Sequence, residues 1–332
     1  MSTPLESVAD PGIPTLSAVL DGVEFVRVLD ELGLVPGTEP RDLEVRVLRH
    51  HEGKRCVFEA AWRGPQWAGS CIGKVYAEDR ADVHRAMCRI ARAGFSRDAD
   101  LSIPEPIAYV PELRLHVQES VPGRSVTELF LSGDPSDHRT GAERCGEWLA
   151  RLHTLGPRTA PMLDLVAYRS SIDRWARRIA EASARDTSER AACLRDRLQA
   201  AMASLVDVGG CASHGSFTHH QVITGRRRTV AFDWDDHVVA DPAFDVARFV
   251  VGLRRLALRM LPSIRALDHA AEAFLESYRS ARLAHVHENF AFYGAAICLR
   301  LAKKDVRRKA EGWAEKAAST LDEGLRILER GV

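Results

Sequence analysis

The residues best equipped for chemistry gather in one stretch, Ser213 to Phe249. A polar loop from His214 to Gln221 carries Ser216, His219 and His220. Two apolar runs follow around a glycine turn, Val222-Ile223 and then Thr229 to Phe232, with Thr224-Gly225-Arg226-Arg227 between them. That pattern predicts a hairpin. An acidic segment comes last, with Asp233, Asp235 and Asp236, then Asp241-Pro242 and Asp245 opening a helix. The hairpin would set the polar loop beside Asp233, although Ser216 and Asp233 are well separated in sequence. A carboxylate next to a carboxamide or hydroxyl at a strand end suits Mg²⁺, which keeps several waters and takes one or two carboxylates plus phosphate oxygens.

These motifs resemble those of the aminoglycoside phosphotransferase and choline kinase superfamily, whose fold is similar to that of protein kinases. The family pattern is His-Gly-Asp, four residues, Asn, a hairpin, Ile-Asp-Trp/Phe-Asp/Glu, and Asp-Pro-x-x-Asp-Leu-Ala. His214-Gly215, Phe232-Asp233-Trp234-Asp235 and Asp241-Pro242-Ala243-Phe244-Asp245-Val246-Ala247 match it in order. The departures fall on the chemistry: Ser216 stands in place of the catalytic Asp, and Gln221 in place of the metal-binding Asn. The resemblance implies that Asp233 is the principal metal ligand and acts with Ser216 and His214 at the reaction centre. Gln221 and Asp235 are the further metal candidates. Gln221 keeps the carboxamide oxygen and adds one methylene. Serine is neutral and cannot serve as a base near pH 7; losing a general base costs about 10²–10⁴-fold. His219 or His220, with an ordinary pKa near ~6.5, is either a substitute base or a surface loop residue. Asp241 is expected to cap the following helix, Asp245 to brace the His214 loop, and His214 to hydrogen-bond the acidic segment.

The elements that must position these groups can be read in order. Residues 1 to 14 form a loose lead-in, and the apolar spacing of Leu16, Val19, Leu20, Val23, Val26, Leu29 and Leu32 predicts one helix from Thr15 to Leu32, stopped by Gly33. Val-Pro-Gly-Thr-Glu-Pro breaks the pattern. From Leu43 the period is two, giving strands at Leu43 to Val47, Cys56 to Phe58 and Ser70 to Tyr76, with turns at His51 to Lys54 and Gly64-Pro65. A helix is expected from Asp79 to Ala93. The order resembles a kinase N-lobe, which implies that Lys74 on the third strand reaches the nucleotide phosphates. The helix has no Glu in its middle; Asp82 and Glu78 are the carboxylates available to Lys74. Ile103 to Tyr109 should be extended because of Pro104 and Pro106. Leu113 to Val117 reads as a strand, and Gln118 to Gly123 is similar to the family's hinge, which implies that backbone at Glu119 to Val121 contacts adenine.

Beyond the hinge the pattern is helical, over Gly141 to Leu155, Tyr168 to Ala203, Arg248 to Arg259, His269 to Arg282 and His285 to Leu328. His153 reads as a buried, satisfied histidine. The clusters Arg254-Arg255, Lys303-Lys304 and Arg307-Arg308-Lys309 read as solvated helix faces. The expected class is α+β: a bilobal protein-kinase-like fold with a small antiparallel-sheet N-lobe and a mainly helical C-lobe. The expected divisions are 1–40, an N-terminal extension with a helix; 41–119, the N-lobe; and 120–332, the helical C-lobe carrying the 213–249 hairpin.

The chain has 332 residues, 45% of them apolar, and its 46 basic residues balance 46 acidic ones. That balance argues against a general nucleic-acid binder. No apolar run reaches the ~18 residues of a membrane span, and MSTPLESVADPG lacks the regions of a signal peptide. Seven scattered cysteines without a C-x-x-C pair read as free thiols in a reducing cytosol, so the expected location is cytoplasmic. The resemblance implies ATP or another nucleoside triphosphate with Mg²⁺, and a small-molecule or peptide hydroxyl as acceptor. Ser216 and the missing helix Glu favour an alternative, a weak or inactive pseudokinase that binds a protein or peptide partner. Such a protein resembles the phosphotransferase-like partners of lyases in peptide dehydration.

Overall fold

The computed structural model describes residues 9–35, 42–63, 68–281 and 287–331; the Gly64-Pro65 turn and most of the Val-Pro-Gly-Thr-Glu-Pro break lie outside them. The chain forms two compact units, Met1–Pro122 and Gly123–Val332.

In the first unit the predicted N-terminal helix is two, α1 (Leu16–Leu20) and α2 (Gly22–Glu31). The break has a local cause: Asp21 is extended, and its carboxylate caps α2 by accepting from the Val23 and Glu24 amides. Gly33 ends the second helix at φ +70°. Three long strands follow, β1 (Leu43–His51), β2 (Arg55–Arg63) and β3 (Ala68–Tyr76), then α3 (Ala81–Ile90). α3 runs into a π-helical turn at Ala91–Phe95, where Gly94 takes φ +101°. After β4 (Leu101–Ser102) come β5 (Pro106–Val110) and β6 (Leu115–Glu119). Five strands form an antiparallel sheet in the order β1-β2-β3-β6-β5. One face alternates cleanly: Cys56, Phe58, Ala60 and Trp62 of β2 are buried against Phe25 and Leu29 of α2, with Phe25 edge-on to Phe58 at 5.3 Å.

The second unit begins with β7 (Arg124–Ser125), α4 (Val126–Phe130) and the 21-residue α5 (Pro135–Leu155). The predicted helix over Tyr168 to Ala203 divides into α6 (Leu165–Ala180) and α7 (Arg185–Met202). β8 (Cys211–Ser213), β9 (Val222–Thr224), β10 (Thr229–Ala231) and β11 (Val238–Ala240) then frame the polar loop. Four helices complete the unit: α8 (Pro242–Met260), α9 (Asp268–Ala281), α10 (His287–Arg308) and α11 (Trp313–Arg330). The last two were expected as one; the break falls where Lys309 and Gly312 adopt φ +48° and +64°.

The core of this unit is an aromatic column. Trp148 of α5 stacks on Phe217 at 5.5 Å, Phe217 lies 5.5 Å from Phe249 of α8, and Phe249 stacks on Phe274 of α9 at 4.1 Å. Trp148 also reaches Trp234 at 5.8 Å, so both ends of the hairpin are pinned to the same packed layer. The basic cluster Arg254-Arg255 departs from expectation. Arg254 is 4% exposed and bonds Glu323 at 2.7 Å, while Arg255 bonds Asp305, which is also buried. They are internal ion pairs joining α8 to α10 and α11 rather than solvated faces.

Candidate active site

The predicted hairpin forms, with Thr229 opposite Thr224 and Ala231 opposite Val222, so that Thr224 belongs to the strand rather than to the turn. A four-residue loop joins the strands and is closed by Gly225 N donating to Arg228 O at 2.8 Å. The Phe232 amide donates to the Gln221 carbonyl at 2.9 Å, which sets Gln221 directly beside Asp233. Asp233 is half-buried and takes φ 72°, ψ 62°, one of three non-glycine positive-φ residues among those described. Such conformations cost about 1–3 kcal/mol and collect at functional sites. Trp234 fixes the turn that follows, its ring buried and its Nε1 donating to Ala231 O at 3.1 Å.

The polar loop is braced from below. The fully buried Asp245 carboxylate, one turn into α8, accepts from the His214 amide at 2.6 Å and the Gly215 amide at 3.1 Å. Gly215 has φ +80°, and a Cβ there would lie 1.8 Å from the Asp236 carbonyl oxygen. Only glycine fits. Asp241 caps α8 through the Ala243 amide at 2.7 Å and accepts from Asn289 Nδ2 at 2.5 Å; burial first of all raises its pKa. His153 lies in the same buried layer, with Nδ1 2.7 Å from Tyr278 Oη and Nε2 3.7 Å from Asp245 Oδ2.

His214 has no exposed surface, and its Nε2 lies 3.0 Å from the Phe232 carbonyl. A carbonyl only accepts, so Nε2 carries the proton. Burial lowers the pKa of this histidine, against the raising effect of Asp245 and Asp233. The neutral ring therefore presents a bare Nδ1, and Ser216 Oγ, at 3.3 Å, donates to it. The hydroxyl's lone pairs remain available on its other side. Gln221 is held through its side-chain oxygen, which accepts from Thr218 Oγ1. Asp235 is half-buried in the single turn after Asp233.

The two loop histidines differ. His220 is exposed, whereas His219 is 3% exposed with Nδ1 2.7 Å from Thr127 Oγ1. Burial, and then the neighbouring His220, push the His219 pKa down to about 3. His219 is thus a structural pin between the loop and α4, neither a surface residue nor a base suited to neutral pH.

In the first unit Lys74 sits on β3, 5% exposed, opposite Val57 of β2 and His116 of β6. His116 is fully buried; burial and then the Lys74 charge push its pKa down to about 3. His84 of α3 stands edge-on to it at 5.3 Å, so the neighbourhood of Lys74 contains imidazoles on the helix side. Of the expected carboxylates, Asp82 is exposed and bonds Arg80 at 3.0 Å, and Glu78 is exposed. Glu119 is buried at the end of β6, accepting from the Glu105 amide at 3.1 Å and lying 3.4 Å from Arg97 Nε; Val121 is half-buried. Thr127, Thr218 and the Phe232 carbonyl escaped the sequence reading. The two threonines act through their hydroxyls and Phe232 through its carbonyl, and none carries a motif of its own.

The donors in the loop are all oxygens: the Asp233 and Asp235 carboxylates and the Gln221 carboxamide. That set fits Mg²⁺ rather than zinc; among the described residues no group of three or more His, Cys, Asp or Glu could hold a metal ion. Among the described residues no helix is long and apolar enough to cross a membrane.

An antiparallel sheet unit, a helical unit and a brace-and-hairpin loop of this kind define the kinase-like phosphotransferase fold. Residues 72–285, more than half the chain, match the model of the phosphotransferase enzyme family, and the chain belongs to that family. Comparison with curated proteins yields no match. Solved structures share the fold. A choline/ethanolamine kinase family protein from Mesorhizobium loti has a TM-score of 0.60 at 17% identity, covering 92% of this chain and 94% of its own. A glucosamine kinase in complex with glucosamine, ADP and inorganic phosphate has 0.61 at 17% identity, covering 88% and 84%. A thermostable aminoglycoside phosphotransferase mutant in ternary complex with ADP and hygromycin B has 0.58 at 16% identity, covering 90% and 97%.

Proposed function

We propose that this protein transfers the γ-phosphoryl group of ATP, or another nucleoside triphosphate, to a hydroxyl of a small molecule or peptide. The observation that carries the reading is the Phe232–Gln221 bond. It ties Gln221, one hard-oxygen donor, to the strand end that leads into the strained Asp233, another, which supports the reading. The family match and the nucleotide bound by two fold relatives support it.

In this reading Asp233, with Gln221 and Asp235, holds Mg²⁺. When bound, the ion neutralises charge on the phosphate oxygens. Lys74 reaches the phosphates, and backbone at Glu119 to Val121 receives the base. Ser216 accepts a hydrogen bond from the acceptor hydroxyl, because its own proton is committed to His214 Nδ1. It orients the nucleophile and does not remove its proton. A loose phosphoryl-transfer transition state relies chiefly on alignment and charge stabilisation, so the site can work slowly without a carboxylate base.

The neutral Ser216 also favours a second reading, in which the protein binds nucleotide and a protein or peptide partner without turnover. A thermal-shift screen with nucleotides and Mg²⁺, followed by nucleotide-turnover assays, tests both. Mg-dependent stabilisation with turnover abolished by Asp233→Ala is the expected result. Absence of any nucleotide-dependent shift would overturn the first reading. Binding without turnover, unchanged by Ser216→Ala, would establish the second.

A further inference from the structure

Cations crowd one part of the helical unit. Arg174 and Arg178 stand four apart on α6, Arg300, Lys304 and Arg308 repeat that spacing on α10, and Lys303 and Arg307 lie beside them. α10 packs against both α6 and α8. From α8 comes Arg248, 8% exposed, with its Cζ 4.8 Å above the Phe244 ring. Its Nε has no hydrogen-bond partner among the described residues. These groups sense one another. Burial, then Arg300, Arg248, Arg308 and Lys303, push the Lys304 pKa down to about 8. Burial, then Arg307, Arg300, Arg178 and Arg174, lower that of Lys303.

Like charges four residues apart on a helix repel, and half-buried ones also lose hydration. Elsewhere in this unit the same problem is met with carboxylates, as where Glu323 faces Arg254, Arg265 and Arg326. Here no such match is made. Among the described residues no carboxylate forms an ion pair with Arg174, Arg178, Arg248, Arg300, Lys303 or Lys304; Arg174 instead donates to Ser171 Oγ at 2.7 Å. Of the nearby acids, Asp305 bonds Arg255 and Asp245 accepts from the His214 and Gly215 amides, while Asp245 and Asp236 raise the Arg248 pKa without forming an ion pair with it. A buried guanidinium with an orphaned donor, flanked by half-buried lysines, is a site whose counter-ion comes from outside the chain.

We propose that Arg248 and Lys304, backed by Arg300 and Lys303, bind an oxyanion group, phosphate or carboxylate, carried by the acceptor. This rests on the phosphotransferase reading. Arg248 lies three residues beyond Asp245, about one helical turn of roughly 5.4 Å, and Asp245 holds the loop that bears Ser216. An anion on Arg248 therefore brings the rest of its molecule to that loop. The guanidinium fork suits two oxygens at once and the ammonium adds a point charge. An acceptor rich in ammonium groups would be repelled by the same surface.

Isothermal titration calorimetry on the full chain, with ADP and Mg²⁺ saturating the nucleotide site, tests this. Glycerol 2-phosphate is titrated in one arm and succinate in the other. Saturable binding of at least one probe is expected, weakened about tenfold or more by Lys304→Gln and by Arg248→Gln. It should also weaken as ionic strength rises from about 0.05 to 0.5 M. The probe that binds more tightly separates a phosphate-bearing from a carboxylate-bearing acceptor. No saturable binding of either probe, or binding unchanged in Lys304→Gln, would overturn the proposal. Lys304 is the deciding position because it is half-buried, so its replacement should leave the melting temperature near that of the parent. Titration of ADP alone tests the nucleotide reading separately: anion binding without ADP binding would remove that reading and leave this site standing.

Discussion

In the proposed reading Ser216 stands where the family resemblance implies a carboxylate. His214 offers it a bare Nδ1, an arrangement that would meet a carboxylate with a lone pair. Replacing Ser216 by Asp therefore restores a base but in a less welcoming pocket. Ser216→Asp is expected to raise turnover by about 10²-fold, the low end of general-base magnitudes. Steady-state assays at neutral pH check it, and an unchanged rate would mean that the acceptor's proton is not handled at this position. His219 gives a second residue-scale prediction. Its pKa falls from an ordinary ~6.5 to about 3 on folding, so between those values the unfolded chain binds the extra proton. Stability must then fall as pH drops from ~6.5 toward 3, by up to about 1.4 kcal/mol per unit from this group alone, and the loss is complete below that window. Urea unfolding across this range should show a slope smaller by nearly one proton in His219→Asn. Equal slopes would mean that the imidazole is solvated and free to charge.

The elements were legible where period and punctuation agreed. The two-residue alternation of Leu43, Val45 and Val47 marked the sheet, and Gly225 between apolar runs marked the hairpin, though not its register. The breaks were less legible. Asp21 splits the first helix by capping the second, and an aspartate inside an apolar 3.6 pattern looks like any exposed polar residue. The site was legible through His214-Gly215, Asp233 and Asp241-Pro242-Ala243-Phe244-Asp245. The depth of His219 and the isolation of Arg248 were not, because both depend on packing between segments distant in sequence. Gly215 shows how tightly the loop element is drawn. A Cβ at that position meets the Asp236 carbonyl, and alanine at φ +80° adds conformational strain. Gly215→Ala should cost about 2–4 kcal/mol from the two effects together. It should also abolish the Mg-nucleotide thermal shift. A variant that melts normally and still binds nucleotide would show that the loop can reach its working form without the left-handed turn.

On the scale of the molecule the seven cysteines form a built-in probe of opening. All are free thiols; Cys193 is exposed, Cys88 is half-buried 3.5 Å from His84 Nε2, and Cys56, Cys71, Cys145, Cys211 and Cys298 are buried. Burial pushes the Cys56 thiol up to about 11 and those of Cys71 and Cys298 up to about 12, with the charges of Asp10, Glu59 and Glu323 acting the same way. Since the thiolate is the reactive form, these groups are inert until the chain opens. A disulfide reagent should therefore label Cys193 at once, Cys88 more slowly, and the remaining five only at the rate set by unfolding. Cys56 and Cys71 report on the first unit, and Cys145, Cys211 and Cys298 on the second. If the native chain binds Mg-nucleotide, ligand at about 100 times its dissociation constant adds about 2.7 kcal/mol, which lowers the open population about a hundredfold. Mass-spectrometric mapping should then show Cys145, Cys211 and Cys298 protected by the nucleotide, because the proposed Mg²⁺ ligand Asp233 lies in their unit. Labelling of these three at an unchanged rate would mean that nucleotide is not held at Asp233.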